Sequence, residues 1–406
     1  MKQAPVLIAG GGPVGLVTAL ALAQQGIAVR VFEAAERVNE SPRASTLHPA
    51  TLEMLASIGL IDEVIARGLV ARTFQFWDRP TGRMIAEFDH AILKDETAFP
   101  FVVQCEQHKL AKLCIERLRN FRNAEVNLAS EVVTVDASSD RVAVTVKSAA
   151  GQAVVAGSYL VGADGGRSAV RKALDIDFQG YTFPERFLVL TTSFDFAAER
   201  GAAFRSYFSD PDEWANLFKV AGEDGSGLWR AVFPTLPGQS DDDVLNPDAV
   251  EARLQKFFPK TGRYKIVHTN LYSVHQRVAV KFQEGRVFLA GDSAHVNNPI
   301  GGLGLNCGLH DAMQLTALLA GVVRGERPDA DLARYDEIRR PINVDYVQQQ
   351  TIANKRRLEE KEPAAREANF ELLRKTAADP AAHRAFLMQT SLLESVRKQA
   401  TAARRA

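Results

Sequence analysis

Apolar positions along this chain follow two different periods, and the switches between them outline its elements. Pro5 to Ala9 is a short apolar, β-prone run; a cluster of glycines breaks it, and Leu16 to Gln25 then repeats Ala and Leu at helical spacing up to Gly26. IAVRVFE alternates next and predicts a second strand ending at Glu33. The strand-turn-helix signature returns twice. In Tyr159 to Leu174 an apolar strand runs into Asp164 and Gly165 ahead of a helix carrying Ser168 and Arg171. In Gly285 to Ala312 a strand ends at Gly291 and Asp292, and a loop rich in Pro and Gly opens a helix near Leu303. Between about Phe187 and Val280 the period shortens to alternating strands at Phe187 to Phe196, Phe204 to Phe208, Ala215 to Ala221 and Leu228 to Phe233, with a helix from Pro247 to Phe258. A strand pair, Thr73 to Asp78 and Met84 to Phe88, turns at Thr81 and Gly82. From about Pro341 the chain is helical and charged; KRRLEEKEPAAREANFELLRK mixes signs at helical spacing, which predicts a solvated or partner-facing helix, and SVRKQATAARRA predicts a solvated basic end.

The first glycine cluster carries chemistry. Gly10, Gly12 and Gly15 have the G-x-G-x-x-G spacing: Gly10 for a tight turn, Gly12 for close approach of a pyrophosphate, Gly15 for helix packing, with Pro13 and Val14 between them. The helix that follows offers unpaired N–H groups to phosphate. Glu33 stands 18 residues beyond Gly15, where a strand-end carboxylate accepts hydrogen bonds from ribose hydroxyls. These residues imply a dinucleotide without choosing between NAD and FAD. Asp292 offers a second carboxylate, to a polyol chain, and the helix start at Gly304, Leu305 and Asn306 aims backbone donors at an anion such as a reduced flavin ring.

Taken together and in this order, the three segments resemble the class A flavoprotein monooxygenases, the aromatic hydroxylases that include p-hydroxybenzoate and phenol hydroxylases. The likeness runs from Met1 to about Asn343. It implies an α/β fold: a discontinuous Rossmann-like FAD-binding domain (1–72, 98–180 and 268–343), an inserted, mostly antiparallel β-sheet substrate domain (73–97 and 181–267), and C-terminal helices (344–406). It implies that Gly10, Gly12 and Gly15 hold the pyrophosphate, Glu33 the adenosine ribose and Asp292 the ribityl chain or phosphate. Gly304 to Asn306 would meet the pyrimidine edge of the flavin, and Pro299 with the glycines after it would wall the ring. Arg43, in ESPRASTLHPATLEML, matches the family arginine near the flavin; Gln107, in QHKLAKL, matches a helix-start glutamine that touches the cofactor; Asp164 and Arg171 belong to a motif that serves both FAD and nicotinamide. The resemblance further implies NADPH or NADH as a transient donor, O2 as co-substrate, and a flavin hydroperoxide that passes one oxygen atom to an aromatic or heteroaromatic ring.

The substrate side is thinner. In ANLFKVA, Asn216, Phe218 and Val220 share one face of a strand, and Tyr207 and Arg230 are the polar candidates on neighbouring strands. Val220 stands near the position of the carboxylate-clamping arginine of p-hydroxybenzoate hydroxylase, which counts against a simple benzoate. No general base is identifiable, and His295, Tyr272, His275 and Cys307 receive no chemical role. Three other readings remain open: a reductase on the same flavin halves, a halogenase-related flavoenzyme, for which the W-x-W-x-I-P segment is missing because Trp77, Trp214 and Trp229 are isolated, and a non-catalytic flavin-binding module.

Composition narrows the partners. Lys plus Arg equals Asp plus Glu at 49 each, so no net field recommends nucleic acid or an anionic membrane. Cys105, Cys114 and Cys307 are too few and too irregular for a disulfide framework or a metal site, which suits a reducing cytoplasm. No run of 18 apolar residues predicts a membrane span. A homodimer is compatible with the reading.

Overall fold

The computed structural model describes residues 4–138 and 140–405, with side chains through residue 399. Among the described residues, one six-stranded sheet is built from the nucleotide end of the chain, in the order Gln283–Glu284, Val287–Leu289, Tyr159–Gly162, Val6–Ala9, Val29–Phe32, Ala124–Asn127. Its central pairs are parallel, with Val6 beside both Tyr159 and Val29. Parallel strands are buried on both faces, which explains why Val6, Leu7, Ile8 and Leu160 are all at 0% exposure. The Pro13–Gln24 helix packs on the sheet through Leu16, Val17 and Leu20, and the helix Leu303–Val323 lies beside it through Leu309, Leu315 and Leu319 in the same core.

The second large sheet is eight-stranded among the described residues, in the order His295–Val296, Ile266–Ala279, Phe178–Thr192, Leu228–Pro234, Ala215–Val220, Arg205–Ser209, Thr73–Asp78, Arg83–Asp89. The Thr73–Asp78 pair joins it parallel to Arg205–Ser209, through Tyr207 beside Phe76. Alternation sorts its two faces. Leu188, Leu217, Ala231 and Phe233 face a core closed by the helix Pro247–Phe257; Tyr207, Val189 and Val232 face the other way, with Phe74 and Phe76.

Two readings need correction here. The strand expected from Phe187 to Phe196 runs from Phe178 to Thr192 and stops before Phe196, because Asp195 accepts hydrogen bonds from the Ala197 and Ala198 amides and starts a short helix, Phe196–Arg200. The C-terminal helices are not simply solvated. Pro363–Ala378 and Pro380–Thr390 lay Phe370, Leu373, Phe386 and Leu387 against the second sheet, and Phe386 meets the Phe88 ring at 4.6 Å. Arg366 anchors the first of them to Asp78 and the Ser209 carbonyl. Their mixed charges occupy the outer face, as in the pairing of Arg374 with Glu367 and Glu371. SVRKQATAARRA belongs to the helix Leu393–Arg405, and its side chains from residue 400 lie outside the described residues. No helix among the described residues is long and apolar enough to cross a membrane.

Candidate active site

The glycine loop shows a division of labour. Gly10 has φ +105°, and a Cβ there would strike the Ala163 carbonyl; a Cβ on Gly15 would strike the Gly10 carbonyl. Both are glycine because backbone crowds them. Gly12 differs: a Cβ there would meet nothing within 4 Å, so its face is open. Gly12 caps the Pro13–Gln24 helix with no side-chain hydrogen bond, so the first-turn N–H groups stay available to an outside acceptor. Beside them Glu33 accepts from the Gly11 amide at 2.6 Å and the Ala35 amide at 2.9 Å. A carboxylate has about four lone-pair sites, so capacity remains for two ribose hydroxyls. A dinucleotide pyrophosphate fits this cradle.

The third segment closes onto the first. Val14 fills the space between Gly291 and Gly308; a Cβ on either glycine would come within 3 Å of the Val14 side chain. Asp292 follows at the mouth of this junction. Its side chain is open to solvent but sits in a cleft walled by protein, and this partial desolvation raises its carboxyl above the ordinary range, against the opposing pull of His295 and of exposed Arg43. Gly301 and Gly302, at φ +105° and +71°, bend the chain into the helix Leu303–Val323, and Gly304, Leu305 and Pro299 remain accessible there.

Several predicted site residues turn out to brace the cradle. Asn306 is fully buried with all its amide atoms engaged: it accepts from the His48 amide (2.9 Å) and Thr51 hydroxyl (2.7 Å), and donates to the carbonyls of Thr46 (2.8 Å) and Gly302 (2.5 Å). Only its backbone is left for a ligand. Asp164 caps the Ala169–Ala173 helix through the Ala169 and Val170 amides and the Ser168 hydroxyl. Arg171 ties that segment to the third one through the Ser293 carbonyl at 2.8 Å. Gln107 is the first residue of the helix Gln107–Leu118, and its amide bonds the Ala44 carbonyl next to Arg43. His295 is in a buried cluster with Asp311 (2.6 Å) and Arg339 (2.7 Å from Asp311); burial alone would raise the Asp311 carboxyl, but these two partners hold it below its ordinary range. Burial pushes the Cys307 thiol up to about 12, so no thiolate is available there at neutral pH.

A cavity lies beside the Ile300–Gly301 loop. Phe74, Phe76 and Tyr207 of the second sheet form one wall, with Phe76 and Tyr207 stacked at 5.3 Å; Leu358 and Phe386 of the C-terminal helices form the opposite one. Of the four pocket candidates read from sequence, Tyr207 lines the cavity. Phe218 packs edge-on to Tyr207 at 6.0 Å, Val220 is buried at the strand end, and Arg230 donates to the Arg43 carbonyl at 3.0 Å, linking the sheet to the cradle. Among the cavity residues that escaped the sequence reading are Arg205 and His48. His48 had a signal, since it lies in the segment that carries Arg43, but its burial could not be read locally. Its Nε2–H donates to the Gly301 carbonyl at 2.8 Å, leaving Nδ1 as a buried acceptor without a partner. Burial, with Arg205 nearby, holds its pKa well below the ordinary imidazole value, so the ring is neutral.

The FAD binding domain family matches residues 3–350. The chain belongs to this family of FAD-binding proteins. Within it, the chain is 32% identical over 394 residues to para-nitrophenol 4-monooxygenase of Pseudomonas sp. (strain WBC-3), covering 97% of this chain and 96% of the relative. It is 34% identical to 6-hydroxy-3-succinoylpyridine 3-monooxygenase HspB of Pseudomonas putida (strain DSM 28022 / S16), covering 89% and 91%. Among solved structures, p-nitrophenol 4-monooxygenase PnpA from Pseudomonas putida DLL-E4 superposes with a TM-score of 0.90 at 32% identity, over 95% of this chain and 97% of that one. The likeness therefore includes the C-terminal helices that the motif reading left uncovered. The family member described here is a FAD-dependent aromatic monooxygenase of the single-component class, as the resemblance implied.

Proposed function

We propose that this enzyme uses NADPH or NADH and O2 to add one oxygen atom to a single hydroxylated aromatic or heteroaromatic ring held in the Phe74–Tyr207–Phe386 cavity. The observation that carries this reading is the cavity itself, walled by the Phe74, Phe76, Tyr207 and Phe386 rings and sharing the Ile300–Gly301 loop with the dinucleotide cradle. The relatives named for p-nitrophenol and for 6-hydroxy-3-succinoylpyridine support a single ring bearing a hydroxyl.

In this reading 1–72, 98–180 and 268–343 form the cofactor domain, 73–97 and 181–267 the substrate domain, and 344–406 contribute the roof of the cavity. Gly10, Gly12, Pro13, Val14 and Gly15 receive the pyrophosphate on open backbone, and Glu33 orients the adenosine ribose. Asp292 holds the ribityl end, with Arg43 and Gln107 beside it; Asp164 and the Asn306 side chain keep the loops in place. FAD, when bound, supplies the electron transfer and the oxygen activation. The Gly304 and Leu305 amides and the helix start stabilise negative charge at that edge. Pro299 and Ile300 press the ring side of the loop against the cavity, and the Leu358 and Phe386 roof excludes water from the reacting face. His48 accepts a hydrogen bond from the substrate hydroxyl at Nδ1, which raises electron density on the ring carbon to be attacked. Three buried free thiols support a reducing compartment, the cytoplasm.

The test is nicotinamide oxidation by the FAD-loaded enzyme across a panel of phenols and hydroxypyridines, with oxygen uptake and product mass under 18O2. A hydroxylase gives substrate-stimulated oxidation and one labelled atom in product. Oxidation without incorporation by any ring would overturn the proposal in favour of a reductase.

A further inference from the structure

The cavity contains a charge without a counter-charge. Arg205 is 3% exposed, on the strand Arg205–Ser209, and its guanidinium lines the cavity. Its Nη2 donates to the Tyr207 hydroxyl at 3.1 Å and its Cζ lies 5.1 Å from the Phe74 ring centroid, but Nε and Nη1 have no hydrogen-bond partner among the described residues. Among the other buried arginines, Arg339 meets Asp311 at 2.7 Å, whereas Arg171 and Arg230 rest on backbone carbonyls of Ser293, Gly166 and Arg43. A buried guanidinium with two bare nitrogens is heavily penalised unless something anionic completes it.

The remaining polar atoms of the cavity sharpen the chemistry. Tyr207 accepts from Arg205, so its own O–H is free to donate. His48 Nδ1 is a bare acceptor. The cavity thus presents two guanidinium nitrogens and one hydroxyl as donors, against His48 Nδ1 and the unpartnered Gln350 Oε1 as acceptors, with no carboxylate in its lining. A neutral phenol would donate to one of these acceptors and leave the guanidinium without a counter-charge.

We propose that Arg205 recognises an anionic oxygen substituent on the substrate ring, so that this cavity selects hydroxy-aromatics carrying an oxyanion over neutral phenols. The inference rests on the cavity being the substrate site, as proposed above. Arg205 is a binding residue and takes no part in oxygen transfer. It lies opposite Phe218, two register positions away from the strand end at Val220, so this recognition does not reuse the position where p-hydroxybenzoate hydroxylase has its arginine.

The experiment compares three probes on the FAD-loaded enzyme: 4-nitrophenol above its ionisation range, 4-hydroxybenzoate, and uncharged 4-methylphenol. Dissociation constants come from perturbation of the flavin absorbance, and kcat/KM from stimulated nicotinamide oxidation. Wild type is expected to prefer at least one charged probe to 4-methylphenol by roughly 10- to 100-fold, the span of one or two charged hydrogen bonds. Which charged probe wins separates a phenolate or nitro oxygen from a carboxylate. Arg205→Met should remove the preference while keeping its FAD, and Arg205→Lys should restore part of it. A preference that survives in Arg205→Met, or equal binding of all three by wild type, overturns the inference while the hydroxylation reading stands. No response to any of the three, charged or neutral, refutes both.

Discussion

Replacing Asn306 with alanine probes how the cofactor cradle is braced. The side chain is at 0% exposure and makes four hydrogen bonds, two accepted from the His48 amide and Thr51 hydroxyl and two donated to the Thr46 and Gly302 carbonyls. Thr51 keeps a second partner in His310 at 3.0 Å, so its loss is partial. The His48 amide has no other partner of comparable geometry, and two carbonyls lose one acceptor interaction each. At about 1–3 kcal/mol for each buried group left unmatched, with some relief from water entering the vacated space, the expected loss is about 3–5 kcal/mol. Urea denaturation of the flavin-free protein, with and without added FAD, measures it. Because the broken bonds tie the Thr46–His48 segment to the helix that opens at Leu303, FAD affinity should fall as well. A loss under about 1 kcal/mol, with unchanged FAD affinity, would refute the bracing role.

Other expectations follow from the same geometry. Glu33→Gln keeps the shape but removes the charge-assisted bonds from Gly11 and Ala35, and should weaken FAD binding by roughly 10-fold or more in a fluorescence-quenching titration; unchanged affinity would count against the ribose assignment. Gly308→Ala places a methyl 2.7 Å from Val14 and 3.0 Å from Gly291, and should cost about 1–3 kcal/mol in denaturation while loosening the junction of the first and third segments. Asp292 has a raised carboxyl in the folded apoprotein, so the folded state holds that proton more tightly than the unfolded chain, and ionising it lowers stability as pH rises through the raised value. Asp292→Asn should therefore stabilise the apoprotein at neutral pH, give no gain at low pH, and impair FAD binding; a mutant less stable at pH 7 would reverse the sign. His90, lowered to about 4, and His310, lowered to about 3, are buried and neutral, so the unfolded chain takes up protons first and stability should fall progressively from about pH 6.5 toward pH 4. Stability that is flat over that window in pH-dependent urea melts would show that these rings are exposed.

Local chemistry was legible in the sequence because the cradle is built from short contiguous turns. Gly10, Gly12, Gly15 and Glu33 declare themselves by spacing, and Asp292 by its place at a strand end. The same reading could not distinguish a ligand from a brace, since that depends on what stands opposite: Asn306 is spent on residues about 260 positions away, and Asp164 on the helix it starts. The cavity was hidden for a related reason. Arg205 and Tyr207 meet Phe74 and Phe76 only through the pairing of two strands more than 120 residues apart, and no periodicity encodes that register. The roof was misread because mixed charge dominates the C-terminal helices, while the stripe of Phe370, Leu373, Phe386 and Leu387 that covers the sheet is narrow.

The most direct test is an equilibrium titration of FAD into the flavin-free protein and into Gly12→Leu. A side chain at Gly12 meets no protein atom within 4 Å at its Cβ and projects into the space left for the pyrophosphate, so the mutant should fold with wild-type stability. The expected result is one FAD per wild-type chain and no saturable binding by Gly12→Leu at equal melting temperature. FAD bound with wild-type affinity by Gly12→Leu, or wild-type protein that stays colourless in excess FAD, would contradict it.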